Sequence, residues 1–326
     1  MKVFWKMVSW VIVSWTFSVF CMNFGYAQNY PVKPVRVVIP WPAGGSNDMA
    51  GRIVLQKVSE SLGQQFVVDN RPGASGAIGA EPVAKSLADG YTLMVHSTTH
   101  LSNHFVYKKL NYDVLHDFSP ISTVATQPGV FAIHPSLPVK SIKEFIQVAK
   151  SHPGQINYGS AGNGSSPHLS MALFVSMTAL KLVHIPYKGG PPEVTSLLGG
   201  ETQAAIPTLA TVIIHLKSGR LRALGVTSLE RSSLLPEIPT IAASGVPGYE
   251  MSPWIAVYGP VGVPKPIVDK LNGEINKAIK LPEVAQNLSQ QGLDPLPGSV
   301  EEFNRRITKD YEKYGQLIRS IGVKPD

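Results

Sequence analysis

The sequence predicts an α/β protein with two lobes and a ligand cleft between them. Patterns typical of strands and helices alternate along nearly all of its 326 residues, which favours largely parallel sheets covered by helices. Two glycine-rich turns each follow a short apolar strand and open a helix. Two other extended segments are suited to pass between lobes, and no linker rich in Ser, Pro or Gly divides the chain into contiguous halves.

Hydrophobic periodicity orders the elements of the first lobe. A buried strand is predicted over 35–39, and a helix over 47–62 carries its apolar residues on one face and ends at Gly63. The next predicted elements are a strand at 66–68, a turn at 71–76, a helix near 80–86 and a strand at 91–96.

Two later helices have the start signal known as a capping box. Ser141 with Glu144, and Ser299 with Glu302, have the spacing at which each side chain accepts the other residue's backbone N–H. The second box opens a last helix with one apolar face, formed by Phe303, Ile307, Tyr311, Tyr314, Ile318 and Ile321.

The segments suited to cross between lobes are 129–133 and 254–258. If both cross, residues 28–128 plus 250–326 form lobe 1, and residues 129–249 form lobe 2. The two glycine-rich turns then lie in different lobes and face each other across the cleft. This is the geometry of a protein that closes on its ligand by bending at hinge segments.

The first glycine-rich turn, residues 40–48, is a predicted anion-binding site. The first N–H groups of a helix have no intrahelical partner and lie at the positive end of the helix dipole, and a glycine turn lets an anion approach them closely. The predicted contacts are Gly45, Ser46, Asn47 and Asp48. Alternatively, Ser46 or Asn47 caps the helix. Asp48 either pairs with Arg52 one helical turn later or receives a positive group of the ligand.

The second turn, residues 159–168, offers the other half of the site. Hydroxyl and amide donors beside backbone N–H groups suit carboxylate oxygens, and they are supplied here by Ser160, Asn163, Ser165 and Ser166. His168 is expected to support the core or a helix cap. A serine hydrolase that uses Ser165 or Ser166 with His168 is the alternative, although the chain has no G-x-S-x-G motif. Two anion-binding turns that lie far apart in sequence favour one small acidic ligand that is held from both sides.

Two further stretches are predicted to line the cleft. One is the turn at 186–191, which contains Tyr187 and Lys188, and the other is the end of an apolar strand at Pro207 and Thr208. Lys188 is long enough to reach a distal acidic group of the ligand, unless water solvates it.

Other binding chemistries have weak support. His96, His100 and His104 recur every four residues, but no Asp, Glu or Cys lies close in sequence to complete a metal site. The stretch 73–79 reads G-x-x-G-x-x-G, which is not the spacing of a dinucleotide turn, and no Walker lysine follows either turn. The sequence therefore predicts no metal and no cofactor.

The N-terminus predicts a secretory signal peptide over 1–27. Lys2 and Lys6 precede an apolar run over 7–22, and small residues then supply a cleavage site. A membrane anchor is the alternative, but the run is short for a membrane span. Cys21 is the only cysteine, so the mature chain has no disulfide, as expected of a bacterial periplasmic protein that relies on its core.

The charge balance favours an anionic partner. The formal net charge is +7, and removal of the two leader lysines leaves it positive. The basic residues are scattered without a dense run of Lys and Arg, so a nucleic-acid partner is not expected.

Matching stretches run through nearly the whole mature chain in the order of a known family. They are 40–48, 70–76, 89–93, 158–164 with His168, 184–189, 219–224, 235–240 and 246–250. By these stretches the chain is similar to the substrate-binding receptors of tripartite tricarboxylate transporters, the Bug family. The resemblance implies a class II periplasmic-binding-protein fold, with two α/β lobes joined by two crossover strands and a ligand cleft between them.

The resemblance also implies a function. Family members bind carboxylated metabolites between the two glycine turns, so the chain is expected to be a non-enzymatic, monomeric periplasmic receptor for a mono-, di- or tricarboxylate. Its partners would be integral-membrane transporter subunits or, alternatively, a membrane sensor kinase. Matched by motif, one side of the ligand is held by Gly45, Ser46, Asn47 and Asp48, and the other by Ser160, Ala161, Asn163, Gly164 and Ser165.

The chain departs from the family pattern at the cleft. Trp41 is bulkier than the residue in many relatives, and His100 and His104 stand where relatives often have small residues. The stretch 206–208 replaces an acidic residue and an amide that many relatives carry. A less acidic wall weakens the case for an amino-bearing ligand and leaves room for aromatic or aliphatic acids.

Overall fold

The structure is a computed structural model in which residues 30–323 are described. The predicted signal peptide over 1–27 lies outside the described residues. Within 30–323, no helix has both the length and the apolar character needed to cross a bilayer. Two mixed sheets, each covered by helices, form two α/β lobes.

The first sheet combines strands from the two ends of the described chain. Its strands are β1 (Val35–Ile39), β2 (Phe66–Asn70), β3 (Thr92–Ser97), β4 (Phe118–Thr126), β10 (Trp254–Pro260) and β11 (Asp294–Pro295). They lie in the order β11-β4-β10-β3-β1-β2. β1 runs parallel to β2 and β3, whereas β10 runs antiparallel to β3 and β4. All of β1 except Arg36 is buried, because helices cover both faces of the sheet.

The second sheet comes from the middle of the chain. Its strands are β5 (Val130–Ile133), β6 (Asn157–Ser160), β7 (Val183–Pro186), β8 (Ala204–Ala205) and β9 (Arg222–Val226). They lie in the order β7-β6-β8-β5-β9, with β5 antiparallel to both of its neighbours. The two sheets therefore share one arrangement, in which a strand arriving from the other sheet lies antiparallel between two others.

The predicted crossover segments are the strands by which the chain enters the other sheet. The segment 129–133 contains β5, and 254–258 lies within β10. The chain leaves the first sheet after Thr126 and returns to it at Trp254. The lobe boundaries at 128/129 and 249/250 stay a prediction.

Ten helices cover these strands within the described residues. They are α1 (Ser46–Leu62), α2 (Ala77–Ala84), α3 (Thr99–Val106), α4 (Ile142–Ser151), α5 (Ser166–Thr178), α6 (Gly190–Leu198), α7 (Leu209–Lys217), α8 (Lys265–Lys280), α9 (Pro282–Gln290) and α10 (Val300–Ser320). Gly63 ends α1 as predicted, in the left-handed conformation at φ 65°. The helix predicted near 80–86 begins three residues earlier, because a turn at Ala74, Ser75 and Gly76 with positive φ leads directly into it.

The last helix, α10, packs against both lobes. Its predicted apolar face is buried at Phe303, Ile307, Tyr314 and Ile318, and half-buried at Tyr311 and Ile321. Phe303 packs against Trp254 of β10, whereas Tyr314 belongs to the apolar cluster of the second lobe. Both lobes are thus tied to one rigid element.

The two predicted capping boxes differ in the structure. Ser299 and Glu302 form the complete box at the start of α10. At α4, the Glu144 N–H donates to Ser141 Oγ at 3.2 Å, but the Glu144 carboxylate accepts from the Lys140 N–H instead of that of Ser141. Only half of the predicted box at Ser141 forms.

Candidate functional site

A small cavity lies where the two lobes meet. Its volume is about 30 Å³, enough for about two water molecules. It is lined by Trp41, Pro42, Gly45, Ser46, Asn47, Ser97, Thr99, Gln127, Ala161, Ser166, Pro167, Gly190, Glu193, Thr208 and Thr211. The predicted contacts among them are Trp41, Gly45, Ser46, Asn47, Ala161 and Thr208. The predicted contacts that do not line it are Asp48, Ser160, Asn163, Gly164, Ser165, His168, Tyr187 and Pro207.

Hydrogen bonds between the lobes close the cleft around this cavity. Ser75 Oγ donates to the backbone oxygen of Asn163 at 2.6 Å, and Ser102 Oγ donates to that of Gly164 at 2.8 Å. In this arrangement of the lobes the cavity is too small for a metabolite.

Five helices begin at the cavity wall: α1, α3, α5, α6 and α7. Four of them, α1, α3, α6 and α7, start without a side-chain hydrogen bond to their first turn. The N–H groups of a first turn lack intrahelical acceptors and lie at the positive end of the helix dipole. Among the described residues that line the cavity there is no Lys, Arg or His, so the attraction for an anion comes from the backbone and from hydroxyl groups.

The first glycine-rich turn places three consecutive residues, Gly45, Ser46 and Asn47, at the cavity wall. Gly45 precedes α1 in an extended conformation, and a Cβ there would lie 3.2 Å from Pro42 O and 3.8 Å from Pro191 of the other lobe. Ser46 Oγ donates to Gln127 Oε1 at 2.5 Å, which joins the turn to the segment where the chain leaves the first sheet. Asn47 is buried, and its Oδ1 has no hydrogen-bond partner among the described residues.

Trp41 forms a fixed part of the wall. Its Nε1 donates to His96 Nδ1 at 3.3 Å. Trp41 and Ala161 also line a neighbouring cavity of about 180 Å³. The predicted contacts Asn163 and Tyr187 lie in that second cavity, beyond Trp41.

Asp48 stabilises the first glycine-rich turn through three hydrogen bonds. Its carboxylate accepts hydrogen bonds from Arg52 Nε at 2.9 Å, from the Gly44 N–H at 3.0 Å and from Asn70 Nδ2 at 3.0 Å. Burial raises the pKa of Asp48, but these hydrogen bonds outweigh it and hold the pKa below 3.8. Of the two alternatives from the sequence, the structure shows the pairing with Arg52.

The second glycine-rich turn uses its donors internally. Ser160 Oγ lies 2.6 Å from His184 Nε2, the Gly164 N–H donates to His168 Nδ1 at 3.0 Å, and Ser165 Oγ accepts the backbone N–H of His168 at 3.3 Å. The His168 ring stacks on His184 with centroids 4.0 Å apart. Burial lowers the pKa of His168 to about 3, and the nearby His184 adds to this effect. His168 therefore supports the turn, and in this arrangement its ring is not paired with the Ser165 hydroxyl.

The remaining predicted residues lie near the start of α7. Thr208 lines the cavity, with its hydroxyl 3.2 Å from that of Thr211. Pro207 contributes a backbone oxygen that accepts the Val130 N–H of β5 at 3.0 Å, so it ties strands together behind the wall.

Several lining residues were not predicted from the sequence. Ser97 and Thr99 follow a buried strand and open a helix, so the signal that marked the glycine-rich turns was present there as well. Glu193 lies in the first turn of α6, two residues beyond the stretch 186–191 that was predicted to line the cleft. Gln127 has no local signal, because a hydrogen bond from Ser46, 81 residues earlier in the chain, places it at the cavity.

The three recurring histidines lie apart from the cavity wall. His96 and His100 are buried in lobe 1 with ring centroids 5.4 Å apart, and His104 packs against Phe105 and Tyr311. Within residues 30–323, no group of three or more His, Cys, Asp or Glu side chains is placed to hold a metal ion.

Comparisons with known proteins identify the family of this chain. The family model for the tripartite tricarboxylate transporter family receptor matches residues 50–323. Protein BugT of Bordetella pertussis is 36% identical over 303 residues, which cover 91% of this chain and 92% of that protein. The structure of R. palustris Rpa4515 with adipate has a TM-score of 0.89 at 35% identity, and the periplasmic binding protein BugD has 0.87 at 30%; each match covers 91% of this chain and 100% of the other. The chain therefore belongs to the family of tripartite tricarboxylate transporter receptors.

Proposed function

We propose that this protein is a periplasmic receptor that binds a small carboxylate in the cavity between its lobes. The observation that carries the proposal is the meeting of four helix starts without side-chain caps at one buried cavity. A carboxylate there would act as the missing cap. Rpa4515, which is similar over its whole length, is solved with adipate, a dicarboxylate.

The energetics of such a site are sufficient without a cationic side chain. A hydrogen bond to a charged group contributes about 1.5–3 kcal/mol. Several of them exceed the cost of ordering the ligand and give the roughly 8 kcal/mol that corresponds to micromolar affinity. The proposed donors are Ser46 and Asn47 from lobe 1, and Ala161, Ser166 and Thr208 from lobe 2, while Gly45, whose N–H donates to Pro42 O at 3.2 Å, lets the ligand approach the turn closely.

The predicted division into lobes supplies the movement that such a ligand needs. The lobes, 28–128 plus 250–326 and 129–249, would separate by bending near Gln127 and in the returning segment before Trp254. Closure would then bring the two halves of the wall together around the ligand and exclude water.

The predicted signal peptide and the family's periplasmic relatives support export to the periplasm. There the closed, liganded receptor would deliver its acid to integral-membrane transporter subunits. A membrane sensor kinase is the alternative partner, and both roles use the same cavity.

A thermal-shift screen of the mature chain tests the proposal. A panel of mono-, di- and tricarboxylates is compared with the methyl esters of the same acids, which keep the shape but lack the charge. A ligand at about 100 times its Kd adds about 2.7 kcal/mol to the free energy of unfolding. That raises Tm by several degrees in a protein of this size. The proposal fails if esters or sugars raise Tm and no acid does.

A further inference from the structure

Glu193 is a buried acid that anion binding does not explain. It lies in the first turn of α6, lines the cavity and has no exposed surface. Neither carboxyl oxygen has a hydrogen-bond partner among the described residues. It is also the only ionisable side chain among the described residues of the cavity wall.

The surroundings of Glu193 contact the aliphatic part of its side chain but give its carboxyl group no hydrogen bond. A Cβ at Gly159 would lie 3.5 Å from Glu193 Cγ, so the side chain crosses β6 where glycine leaves room. The Ser196 hydroxyl donates to the backbone oxygen of Glu193 at 2.9 Å, and not to the carboxyl. Burial alone raises the pKa of Glu193 well above 4.5. An unpartnered buried carboxyl destabilises the fold, so its presence at the cavity needs a reason outside folding.

A second unpartnered acceptor faces the same cavity from the other lobe. Asn47 Oδ1 is buried without a partner, and Asn47 also lines the cavity. The helix starts supply donors that suit a carboxylate, whereas Glu193 and Asn47 supply acceptors that a carboxylate cannot satisfy. The two sets together complement a ligand that has both kinds of group.

We propose that Glu193 accepts a hydrogen bond from the ligand, so that the bound acid carries a hydroxyl or ammonium group in addition to its carboxylate. This inference rests on the proposed function. A second carboxylate on the ligand fits this place only if Glu193 is protonated and donates, and in that case the dicarboxylate of a matched set binds most tightly. The stretch 206–208 lacks the acidic residue that many relatives carry there, and Glu193 of α6 supplies an acidic group to the cavity wall instead.

The test uses sets of ligands matched in length, measured by isothermal titration calorimetry on the mature chain. Each set, of two to six carbons, contains the plain acid, the ω-hydroxy acid, the ω-amino acid and the dicarboxylate. In one set, the hydroxy or amino acid is expected to bind at least about tenfold more tightly than the plain acid.

Two variants of Glu193 then distinguish a ligand with a hydroxyl group from a ligand with an ammonium group. Glu193→Gln keeps a carbonyl acceptor without charge, so it retains a preference for a hydroxyl and loses one for an ammonium group. Glu193→Met removes the acceptor, so either preference disappears, while Tm without ligand is unchanged or higher because a buried acid has been replaced by an apolar side chain. Glu201→Gln is the matched control, since Glu201 is exposed in the same lobe, and it should leave both readouts unchanged.

The outcomes distinguish this inference from the proposed function. If acids bind but the plain acid or the dicarboxylate binds most tightly, or if Glu193→Met keeps the wild-type preference, the role of Glu193 is wrong and the receptor function stands. If no acid of any kind binds, the proposed function fails and this inference fails with it.

Discussion

The two glycine-rich turns have similar sequences and different chemistry. In the first, residues 40–48, three consecutive residues line the cavity and α1 begins without a side-chain cap. In the second, residues 159–168, Ser165 caps α5 and the Gly164 N–H donates to the His168 ring. The first turn also uses the Gly44 and Gly45 N–H groups and the Ser46 hydroxyl internally, but it leaves the first N–H groups of α1 without a side-chain acceptor, whereas the second turn caps its helix with Ser165.

This difference shows what defines an anion site. A glycine-rich turn before a helix supplies donors, but they bind a ligand only if no side chain satisfies them first. Lobe 2 compensates by presenting the starts of α6 and α7 to the cavity, through Gly190 and Thr208. The site thus joins the first turn of lobe 1 to Ala161 and Ser166 of the second turn and to both further stretches predicted to line the cleft, through Gly190 and Thr208.

Substituting Gly45 by Val should produce the largest loss of binding. Its side chain would crowd Pro42 O, 3.2 Å from the Cβ position, and would project towards Pro191 of the closing lobe. Overpacking of this kind costs about 1–3 kcal/mol. The crowding of Pro42 O lies within lobe 1, whereas the added methyl groups meet Pro191 only when the lobes are closed, so affinity for the best carboxylate should fall about 10- to 100-fold. Titration calorimetry measures the change.

Gly273→Ala is the control for Gly45→Val. Gly273 lies within α8, and a Cβ there would meet no atom within 4 Å. Affinity should stay within twofold of the wild type. If Gly45→Val also stays within twofold, the first turn is a structural feature and not part of the ligand site.

The matching change in the second turn should reduce stability as well as binding, because Gly164 has a positive φ and also lies against Val106 of lobe 1. Gly164 has φ +71°, and a Cβ there would lie 2.7 Å from Val106. Gly164→Ala is therefore expected to lower the free energy of unfolding by about 1–2 kcal/mol. Urea unfolding with and without ligand separates this effect from affinity. An unchanged midpoint would mean that the second turn is less rigid than its internal hydrogen bonds indicate.

Much of the fold was predictable because it depends on local signals. The strand at 35–39, the end of α1 at Gly63 and the complete capping box at Ser299 follow from hydrophobic period, backbone freedom and side-chain length. The half-formed box at Ser141 shows the limit of such signals. There the Glu144 carboxylate accepts the Lys140 N–H instead of the Ser141 N–H, and the sequence pattern allows either hydrogen bond.

The composition of the site was less predictable because it depends on contacts between distant segments. Ser160 and His168 are polar and follow a glycine turn, yet His184, from another strand, holds both of them away from the cavity. Gln127 reaches the cavity beside the distant Ser46 of its own lobe, and Glu193 reaches it where the two lobes meet. Such partners cannot be read from the spacing within one turn.

The two turns should also respond differently to acid. The pKa of His168 is lowered by burial from 6.5 to about 3, so the unfolded chain binds a proton there at a higher pH than the folded one. The stability contributed by neutral His168 is therefore complete above about pH 6.5 and is lost as the pH falls towards 3. Asp48, whose pKa lies below 3.8 because hydrogen bonds from Arg52, Gly44 and Asn70 outweigh burial, loses its contribution only below about pH 4.

His168→Asn tests this order. The Asn Oδ1 can accept the Gly164 N–H but does not titrate, so the decline in the free energy of unfolding between pH 6.5 and 4 should become shallower. Part of the decline remains, because burial also lowers the pKa of His96 and His100. Asp48→Asn should leave the slope in this window unchanged. An identical slope in wild type and His168→Asn would contradict the buried, neutral state of His168.

Ser75→Ala should have the smallest effect, because it removes one contact that joins the two halves of the site. Ser75 is held at φ 48°, its backbone oxygen accepts from Asn103 Nδ2 at 3.1 Å, and its hydroxyl donates to Asn163 O across the cleft. One such hydrogen bond contributes about 0.5–1.5 kcal/mol, so affinity should fall about 2- to 10-fold for every ligand alike, with faster dissociation in stopped-flow measurements. Ser86→Ala, which removes a bond to Val83 within lobe 1, should change stability without changing affinity. If Ser75→Ala binds as tightly as the wild type, the ligand is held without full closure, and the first turn supplies most of the binding energy alone.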